Sequence, residues 1–553
     1  MTKEKWFIIL VMVVVFVDHA SFINNGFTWL DHGDIEAGRA VLPVAKLPRA
    51  FFTRFGETGF YRPAVTILNS IDAFFYGKSP QGYHLTNVLL HVAVSIASFF
   101  FALTFFELSY IESSIVALIV GVHPLSILPV GAISYRQELL VVMFTFVAVS
   151  AHIKTRRTGK IIWIAGSIFF WTAALFSKET ALFWIPTLIF LWEWTKGFKK
   201  LRQHSLYIVT FILVAVLYGI FRLQAVPEIW RSVKADLSLS GALGTRLSML
   251  TQRLTDIFNP TKPAFSDAVL VKGMVSWHTW LAILSIVAGV VITFKSKRRS
   301  IVTRLAFFVL IALIPALSIV PLPRFNSPHY SFIAIPVVGM IVVLIGRQVV
   351  RRFGNLGKAL FVLLVGIWIF FMAVSTFTAG FQFKDDLRLF GPEVKRDDNF
   401  REGHFYLGDY YLRRENYQLA AKHLEDSLRQ RPGVIAFVDR PAAMINLAGT
   451  YLSLRKIDEA QKLLREVAEK NSGINHLRSL YNLAVIADRK GAYQEIVNLL
   501  GDDIYQWQQP EPLLLFVKGL VKTGNEAGAE GILKNRLFIN DYKKRQEIIQ
   551  TFR

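Results

Sequence analysis

Charged residues that could do chemistry occur at short turns between the long apolar stretches of this 553-residue chain. Asp31 and Asp34 lie three residues apart near the amino terminus, and Lys178 and Glu179 are neighbours in a later turn. A bilayer penalises unpaired ionisable groups, so such residues at the same ends of membrane helices predict a shared polar cavity. The alternative is that each of them faces water or lipid headgroups. Because the chain has no cysteine, catalysis in such a cavity must use oxygen or nitrogen groups.

A second set of polar residues could complete this cavity. His84, Asn87 and His91 have spacings of three and four, which place them on one face of a helix that descends into the membrane. Hydrogen bonding between helices is the alternative role for these three residues. The other candidates on the same side of the membrane are Arg62, His123, Tyr135, Arg136, Glu138, Arg324, Asn326 and His329.

The elements that must position these residues are membrane helices. Hydrophobic residues make up 53% of the chain and aromatic residues 14%, which is too apolar for an ordinary soluble enzyme of this length. The net charge of +22 comes from short Lys and Arg clusters between apolar stretches, which indicates membrane topology rather than nucleic-acid binding. The apolar segment from Trp6 to Phe22 has no cleavage site after it, so we expect a retained first helix.

The apolar stretches predict about eleven spans of roughly 20 residues or somewhat fewer. The predicted spans cover residues 6–22, 84–106, 111–133, 138–153, 161–176, 180–194, 207–222, 277–294, 305–320, 330–345 and 359–380. Basic clusters fall in alternate loops, so the positive-inside rule places the amino terminus in the cytoplasm. This register makes residues 23–83 a long outer loop and puts everything after about residue 381 outside the cytoplasm. The basic clusters are Lys154, Arg156, Arg157 and Lys160; Lys196, Lys199, Lys200 and Arg202; Lys295, Lys297, Arg298 and Arg299; and Arg347, Arg351, Arg352 and Lys358.

The composition changes after Gly380 to polar, amphipathic helical sequence that contains repeats. Small residues and a closing Pro at fixed spacing are typical of tetratricopeptide repeats, in which two antiparallel helices approach closely. The residues that show this spacing are Leu407, Gly408, Tyr411, Ala420, Leu424 and Pro432; Leu447, Ala448, Tyr451, Ala460 and Leu464; Leu483, Ala484 and Gly491; and Phe516, Gly524, Ala529 and Leu533. Such arrays usually bind a peptide or a partner protein, and a structural role against the membrane domain is the alternative.

Four blocks of the membrane part occur in a characteristic order. They are Tyr61-Arg62-Pro63 followed by Gly82-Tyr83-His84-Leu85-Thr86-Asn87-Val88-Leu89-Leu90-His91; His123-Pro124; Ile133-Ser134-Tyr135-Arg136-Gln137-Glu138-Leu139-Leu140; and Ser177-Lys178-Glu179-Thr180. With these blocks the chain resembles the transmembrane-and-tetratricopeptide-repeat O-mannosyltransferases and their bacterial relatives over nearly its whole length. The resemblance implies an all-α fold: a GT-C-like membrane catalytic domain over residues 1–380, a juxtamembrane linker over 381–400 and a soluble repeat solenoid over 401–553 on the outer side.

The resemblance also implies roles for the polar residues. An acid of the first outer loop acts in catalysis in this family, so Asp34 is the first choice for the base and Asp31 the second. Relatives carry adjacent acids here, and they have an Arg where this chain has His329. No metal is obligatory for such a transfer; a divalent ion held by Asp31, Asp34 or Glu179 is the alternative, and Glu179 could instead orient Lys178. The expected contacts to the donor phosphate and sugar are Arg62, His84, Asn87, His91, His123, Arg136, Lys178, Glu179 and His329.

The implied reaction is an inverting transfer of a hexose, such as mannose, from a polyprenyl-phosphate donor to hydroxyl groups of exported proteins. The expected partners are this lipid-linked sugar, membrane lipids and a protein bound by the repeats, and the expected location is a bacterial inner membrane with periplasmic repeats. Two alternatives are a GT-C enzyme that modifies a lipid or glycan and a non-catalytic anchor for a repeat scaffold. A transporter is disfavoured because the membrane half has no internal duplication.

Overall fold

The computed structural model describes residues 3–197, 205–227, 238–295, 301–317, 324–507 and 509–553. Its contacts divide the chain into two compact units. The membrane unit comprises Met1–Asp397 together with Gly433–Phe437, and the repeat unit comprises Asp398–Pro432 and Val438–Arg553. Six of the predicted topology residues lie outside the described ranges, namely Lys199, Lys200, Arg202, Lys297, Arg298 and Arg299.

The membrane unit is built almost wholly from helices. They are α1 (Lys3–Asp18), α2 (Pro63–Tyr76), α3 (Pro80–Phe105), α4 (Tyr110–Val122), α5 (Ile127–Gly131), α6 (Arg136–Thr158), α7 (Ile161–Ser177), α8 (Ala181–Lys196), α9 (Ser205–Ala225), α10 (Leu239–Phe258), α11 (Trp277–Lys295), α12 (Ile301–Leu313), α13 (Pro336–Gly380) and α14 (Asp386–Arg396). The strands β1 (Val269–Leu270) and β2 (Val434–Ile435) pair in an antiparallel register, with Val269 opposite Ile435.

Several helices have the length and apolar character that a bilayer requires. Within the described residues, four helices can cross a membrane alone, and a fifth span results if α4 and the following short helix, bent by 51°, count as one. Four shorter apolar helices accompany them. Every predicted span overlaps a helix; α13 carries two of them and breaks at Gly354, whose φ is 59°. The all-α membrane bundle is therefore confirmed, whereas the number of about eleven spans remains a prediction.

Small residues allow the central helices to approach closely. A Cβ atom on Gly339 of α13 would lie 2.8 Å from Cα of Val116 in α4, and one on Gly121 would lie 2.1 Å from Val15 of α1. Without a hydrophobic driving force between helices in lipid, such close contact is a main source of helix association. These glycines therefore allow α1 and α13 to pack closely against α4.

The repeat unit consists of paired helices. They are α15 (Arg401–Leu412), α16 (Tyr417–Leu428), α17 (Arg440–Ser453), α18 (Ile457–Lys470), α19 (Ile474–Arg489), α20 (Tyr493–Gly501), α21 (Pro510–Lys522), α22 (Glu526–Asn535) and α23 (Tyr542–Phe552). Each of the four predicted repeats corresponds to one pair from α15 to α22. Gly408 shows why a small residue is needed, because a Cβ atom there would lie 2.6 Å from Cγ of Leu424.

Two segments belong to a different unit from the one that the sequence predicted. Residues 381–397 of the predicted linker are part of the membrane unit and contain α14, so the repeat unit begins at Asp398. Gly433–Phe437, which lies within the predicted repeat solenoid over 401–553, also belongs to the membrane unit. Both segments contribute to the region around the candidate site.

Candidate active site

A strained loop presents the two acids of the first outer loop. Trp29 adopts a left-handed backbone conformation with φ of 59°, which is rare for a residue other than glycine. Its backbone N–H donates to Asp386 Oδ1 at 2.8 Å, and His32 Nε2 lies 2.9 Å from the other oxygen of Asp386. Residues His32–Glu36 then form a π-helical turn, a feature often found at functional sites. The carboxylate of Asp386 thus holds the loop that carries Asp31 and Asp34.

The two acids have different surroundings. Asp31 is fully buried and its carboxylate accepts the backbone N–H groups of Ile133 and Ser134 at 3.2 and 2.7 Å. Asp34 keeps 8% of its surface exposed and lines a cavity. Burial raises the pKa of each carboxyl to about 6, and the neighbouring Asp31 adds to the effect on the pKa of Asp34. Asp31 is therefore occupied in holding the backbone, and Asp34 is the acid that a ligand can reach.

Ionisable residues from four separate parts of the chain line a cavity beside Asp34. It has a volume of about 80 Å³. The nearly buried polar atoms in its wall that have no hydrogen-bond partner among the described residues include Arg62 Nε, Gln137 Oε1 and Glu179 Oε1. Such unpaired groups are costly, so they indicate that a polar ligand binds here. The lining residues are Leu30, Asp34, Phe55, Thr58, Phe60, Arg62, Ser134, Tyr135, Gln137, Glu138, Lys178, Glu179, Arg324, His329 and Tyr330.

A buried ion pair crosses one wall of the cavity. Lys178 Nζ donates to Glu138 Oε1 at 2.5 Å, and both side chains are nearly inaccessible. The proposed orientation of Lys178 by Glu179 is therefore wrong, because Glu138 from the amino terminus of α6 is the partner. His329 Nε2 lies 3.6 Å from the same oxygen of Glu138, and its Nδ1 lies 2.6 Å from Ser327 Oγ. Burial, with the neighbouring Lys178 and Arg324, holds the pKa of His329 well below its ordinary range, so this imidazole is neutral near pH 7.

A clamped turn supplies the neighbouring part of the wall. Arg253 of α10 donates to the carbonyl oxygen of Ser327 at 2.7 Å and to Asn326 Oδ1 at 2.5 Å. The hydroxyl of Tyr330 donates to the carbonyl oxygen of Arg324 at 3.1 Å. These bonds fix the turn that brings Arg324, His329 and Tyr330 to the cavity.

Five of the predicted site residues lie elsewhere. His84 Nε2 is 3.0 Å from the carbonyl oxygen of Gly26, and His91 Nε2 is 2.9 Å from that of Gly121. These bonds match the alternative of hydrogen bonding between elements, and none of the five lines the cavity. The remaining three are Asn87, whose amide donates to Val130; His123, whose Nε2 lies 2.9 Å from the carbonyl oxygen of Ile257; and Arg136.

Arg136 has a full set of partners inside the bundle. Its guanidinium donates to Asp72 Oδ2 at 2.7 Å, to Asn87 Oδ1 at 3.1 Å and to the carbonyl oxygen of Tyr83 at 3.3 Å. The residue is completely buried. These contacts hold α2 and α3 against α6. Because the guanidinium of Arg136 is 0% exposed, a lipid phosphate cannot reach it in this structure.

The sequence predicted Asp34, Arg62, Lys178, Glu179 and His329 as site residues, and the structure brings these five together around one cavity. Gln137 and Tyr330 were missed as lining residues. Their positions directly after Arg136 and His329 were the available signal. Across the described residues, no group of three or more His, Asp or Glu side chains is arranged to hold a metal ion.

The fold and the cavity define an all-α membrane protein that carries tetratricopeptide repeats and a buried polar site. The family model described as tetratricopeptide repeat matches residues 411–482, which confirms the predicted repeats. The chain is also similar to protein O-mannosyl-transferase Tmtc1 of Drosophila melanogaster, with 27% identity over 183 residues. This match covers 31% of the chain and 20% of the length of the fly protein. The comparison thus supports the resemblance to the transmembrane-and-tetratricopeptide-repeat O-mannosyltransferases.

Proposed function

We propose that this chain is a membrane glycosyltransferase that moves a hexose from a polyprenyl-phosphate donor to hydroxyl groups of exported proteins. The similarity to an O-mannosyl-transferase supports the reaction class. The tetratricopeptide repeats support a protein as acceptor, because such repeats generally bind peptides or proteins. The polyprenyl-phosphate donor and the hexose are what the resemblance implies, and the choice of the base also rests on the surroundings of Asp34 in the cavity.

The observation that carries the proposal is the set of unpaired polar atoms beside Asp34. In the described part of the chain, Arg62 Nε is a buried donor without a hydrogen-bond acceptor, and Gln137 Oε1 and Glu179 Oε1 are buried acceptors without a donor. A ligand that satisfies these three atoms must offer an acceptor oxygen to Arg62 and hydrogen-bond donors to Gln137 and Glu179. A sugar phosphate has this combination, and an Arg guanidinium is well suited to phosphate oxygens.

The reaction requires a base and a site for the leaving phosphate. Asp34 takes the proton of the acceptor hydroxyl while the oxygen forms a bond to the anomeric carbon. The bond from that carbon to the phosphate oxygen breaks, and polyprenyl phosphate leaves with the bonding electrons. Attack on the face opposite the phosphate inverts the anomeric configuration. Arg62 and Arg324 stabilise the charge on the leaving oxygen, which is the contribution that preorganised cations make in a dry site.

The pKa of Asp34 suits this role. Burial raises it to about 6, so the carboxyl is mostly ionised at pH 7 and is still a stronger base than an ordinary aspartate. Lys178 and Glu138 form an ion pair in the wall of the cavity, so their opposite charges largely cancel. Lys178 therefore adds little net positive charge to the cavity, and its Nζ lies 5.4 Å from the centre of the Tyr330 ring.

The size of the cavity sets a condition on binding. At about 80 Å³ it is smaller than the roughly 300–1,000 Å³ of typical small-molecule sites. A hexosyl phosphate therefore has to displace part of the wall. Thr58 and Phe60 lie in the irregular loop between Phe55 and α2 and are only half-buried, so we propose that this loop is the part of the wall that moves. By contrast, the turn that carries His329 and Tyr330 is held in place by Arg253.

The test compares exported proteins from cells that carry the gene, lack it, or express the Asp34→Asn chain. Mass spectrometry of intact peptides would show hexosylated Ser or Thr residues that depend on the parent chain and are lost in the variant. Loss of hexose from a lipid or glycan, with unchanged proteins, would instead assign a different acceptor. If the Asp34→Asn chain supports every modification that the parent supports, the cavity is not catalytic and a scaffold role replaces the proposal.

A further inference from the structure

An apolar groove runs between α6 and α7 of the membrane unit, and its volume is about 590 Å³. This volume lies within the roughly 300–1,000 Å³ of typical small-molecule sites. The lining on α7 extends from Ile162 to Phe170, a length of about 12 Å at the helical rise per residue. Phe169 of this lining is 65% exposed, so the groove opens toward the surface that lipid chains cover. An apolar groove of this length fits a hydrocarbon chain.

Lys154 is the charged residue in the lining of this groove. On α6 the lining begins at Val147, so Lys154 lies at one end of it. Its Nζ lies 4.3 Å from the centre of the Trp163 ring and 5.5 Å from the centre of the Phe100 ring. Aromatic faces attract an ammonium group and direct it without cancelling its charge. The apolar groove therefore ends beside a positioned cation.

Two other basic residues at this end of α6 have carboxylate partners. Arg156 Nε lies 2.7 Å from Glu193 Oε1, and Arg157 Nη2 lies 3.0 Å from Glu107 Oε1. Within the described part of the chain, no carboxylate lies within ion-pair distance of Lys154. The ammonium of Lys154 can therefore accept an anion from outside the chain without breaking an internal ion pair.

The groove is far from the candidate active site. Lys154 follows Glu138, which lines the cavity beside Asp34, at a distance of about 24 Å along the axis of α6. The hydrocarbon core of a bilayer is about 30 Å thick, so Lys154 and this cavity lie near opposite faces of the membrane. An anion on Lys154 is thus distinct from the phosphate of the proposed donor. The predicted topology places Lys154 on the cytoplasmic side, where basic pockets between membrane helices bind acidic lipid headgroups.

We propose that this groove binds one anionic phospholipid of the leaflet opposite the candidate active site. An acyl chain lies along α6 and α7, and the lipid phosphate pairs with the ammonium of Lys154. Trp163 and Phe100 hold that ammonium at the end of the groove. The site does not depend on the proposed sugar transfer, so it can be tested by binding alone.

Two substitutions separate a specific phosphate contact from general attraction between a basic protein and acidic lipids. Lys154→Met removes the charge and keeps an unbranched apolar side chain in the groove. Lys358→Met is the matched control, because Lys358 is exposed, belongs to a basic cluster on the same predicted side and lies outside the lining of the groove. Both variants lose one positive charge.

A second pair of substitutions tests the apolar part of the site. A Cβ atom on Gly166 would lie 4.0 Å from Cβ of Ala151, so the position has room for a side chain. Gly166→Leu should fill part of the groove and exclude the acyl chain. Gly219→Leu on α9 is the matched control, because a Cβ atom there meets no described atom within 4 Å and the position lies outside the lining.

The experiment titrates the full chain in detergent micelles with phosphatidylglycerol or with phosphatidylcholine of the same acyl chains, and native mass spectrometry gives the Kd of the first bound lipid. We expect the parent to bind phosphatidylglycerol more tightly. Lys154→Met should weaken this binding by roughly fivefold, the contribution of one basic residue beside acidic lipid, and should remove the preference. Gly166→Leu should weaken the binding of both lipids. Lys358→Met and Gly219→Leu should behave like the parent.

Equal phosphatidylglycerol affinities of the parent and Lys154→Met would overturn the proposal. Equal losses in Lys154→Met and Lys358→Met would also overturn it, since they would show general electrostatic attraction. Displacement of phosphatidylglycerol from the parent by a short-chain polyprenyl phosphate would assign the groove to the donor instead. The comparison of Lys154→Met with Lys358→Met decides the proposal even if Gly166→Leu lowers the melting temperature.

Discussion

Replacing Asp34 by Asn tests the proposed base with almost no change in shape. The carboxylate lines the cavity and carries a pKa raised to about 6 by burial. An amide of the same size cannot take a proton from an acceptor hydroxyl. General-base assistance is typically worth ~10²–10⁴-fold, so we expect kcat to fall by about that factor. Because burial disfavours the charged carboxylate, the neutral Asn should leave the melting temperature unchanged or slightly raised.

The pH dependence of kcat/KM for the parent chain gives a second quantitative prediction. A base with a pKa of about 6 is roughly nine-tenths ionised at pH 7 and about one-tenth ionised at pH 5, so kcat/KM should fall about tenfold between these values. The activity is lost as the pH falls, because protonation removes the base. Below about pH 5, the loss should approach tenfold for each further pH unit.

The assay follows hexose transfer from a polyprenyl-phosphate donor to a peptide in nanodiscs, with thermal melting recorded on the same samples. Asp31→Asn is the matched control, because Asp31 accepts two backbone N–H groups and lies outside the lining of the cavity. Its amide would turn an N–H donor toward one of them, which costs about 1–3 kcal/mol of stability. A parental kcat for Asp34→Asn, or a rate independent of pH between 5 and 7, would refute the assignment of the base.

Two further predictions follow from individual contacts. Arg62→Gln removes the buried guanidinium whose Nε has no hydrogen-bond partner among the described residues, so the donor KM should rise several-fold. Arg49→Gln, at an exposed position of the same outer loop, is the control and should leave the donor KM unchanged. If the Arg62→Gln chain and the parent have equal donor KM values, Arg62 is not part of the site. Gly408→Ala places a Cβ atom 2.6 Å from Cγ of Leu424 and should destabilise the first repeat by about 1–3 kcal/mol, seen as faster proteolysis of the full chain between α15 and α16. Gly449→Ala faces open space and should be neutral or stabilising; similar proteolysis of both variants would contradict the packing argument.

The general architecture could be predicted from local patterns. Apolar stretches of membrane-spanning length indicated the helical bundle, and the spacing of small residues such as Gly408 and Ala420 indicated the repeats, which the family match confirms. Asp34 and Lys178 were found because charged residues next to apolar stretches are conspicuous. The segment with α14 was predicted as a linker because it is as polar as the repeats, and only its contacts assign it to the membrane unit.

The chemistry of the site depended on partners that are distant in sequence. The neighbouring sequence does not distinguish Asp31 from Asp34. In the fold, the backbone N–H groups of Ile133 and Ser134 donate to Asp31, whereas Asp34 lines the cavity. Similarly, the partner of Lys178 is Glu138, 40 residues earlier, rather than its neighbour Glu179.

The amino-acid sequence by itself therefore determined that the protein is a helical membrane bundle with repeats and which charged residues lie near helix ends. These features follow from hydropathy and spacing, which act over a few turns of chain. Only the tertiary structure decided which of those charges are neutralised and which remain open to a ligand. Pairing energies depend on distance in space, and the packing of remote helices sets that distance.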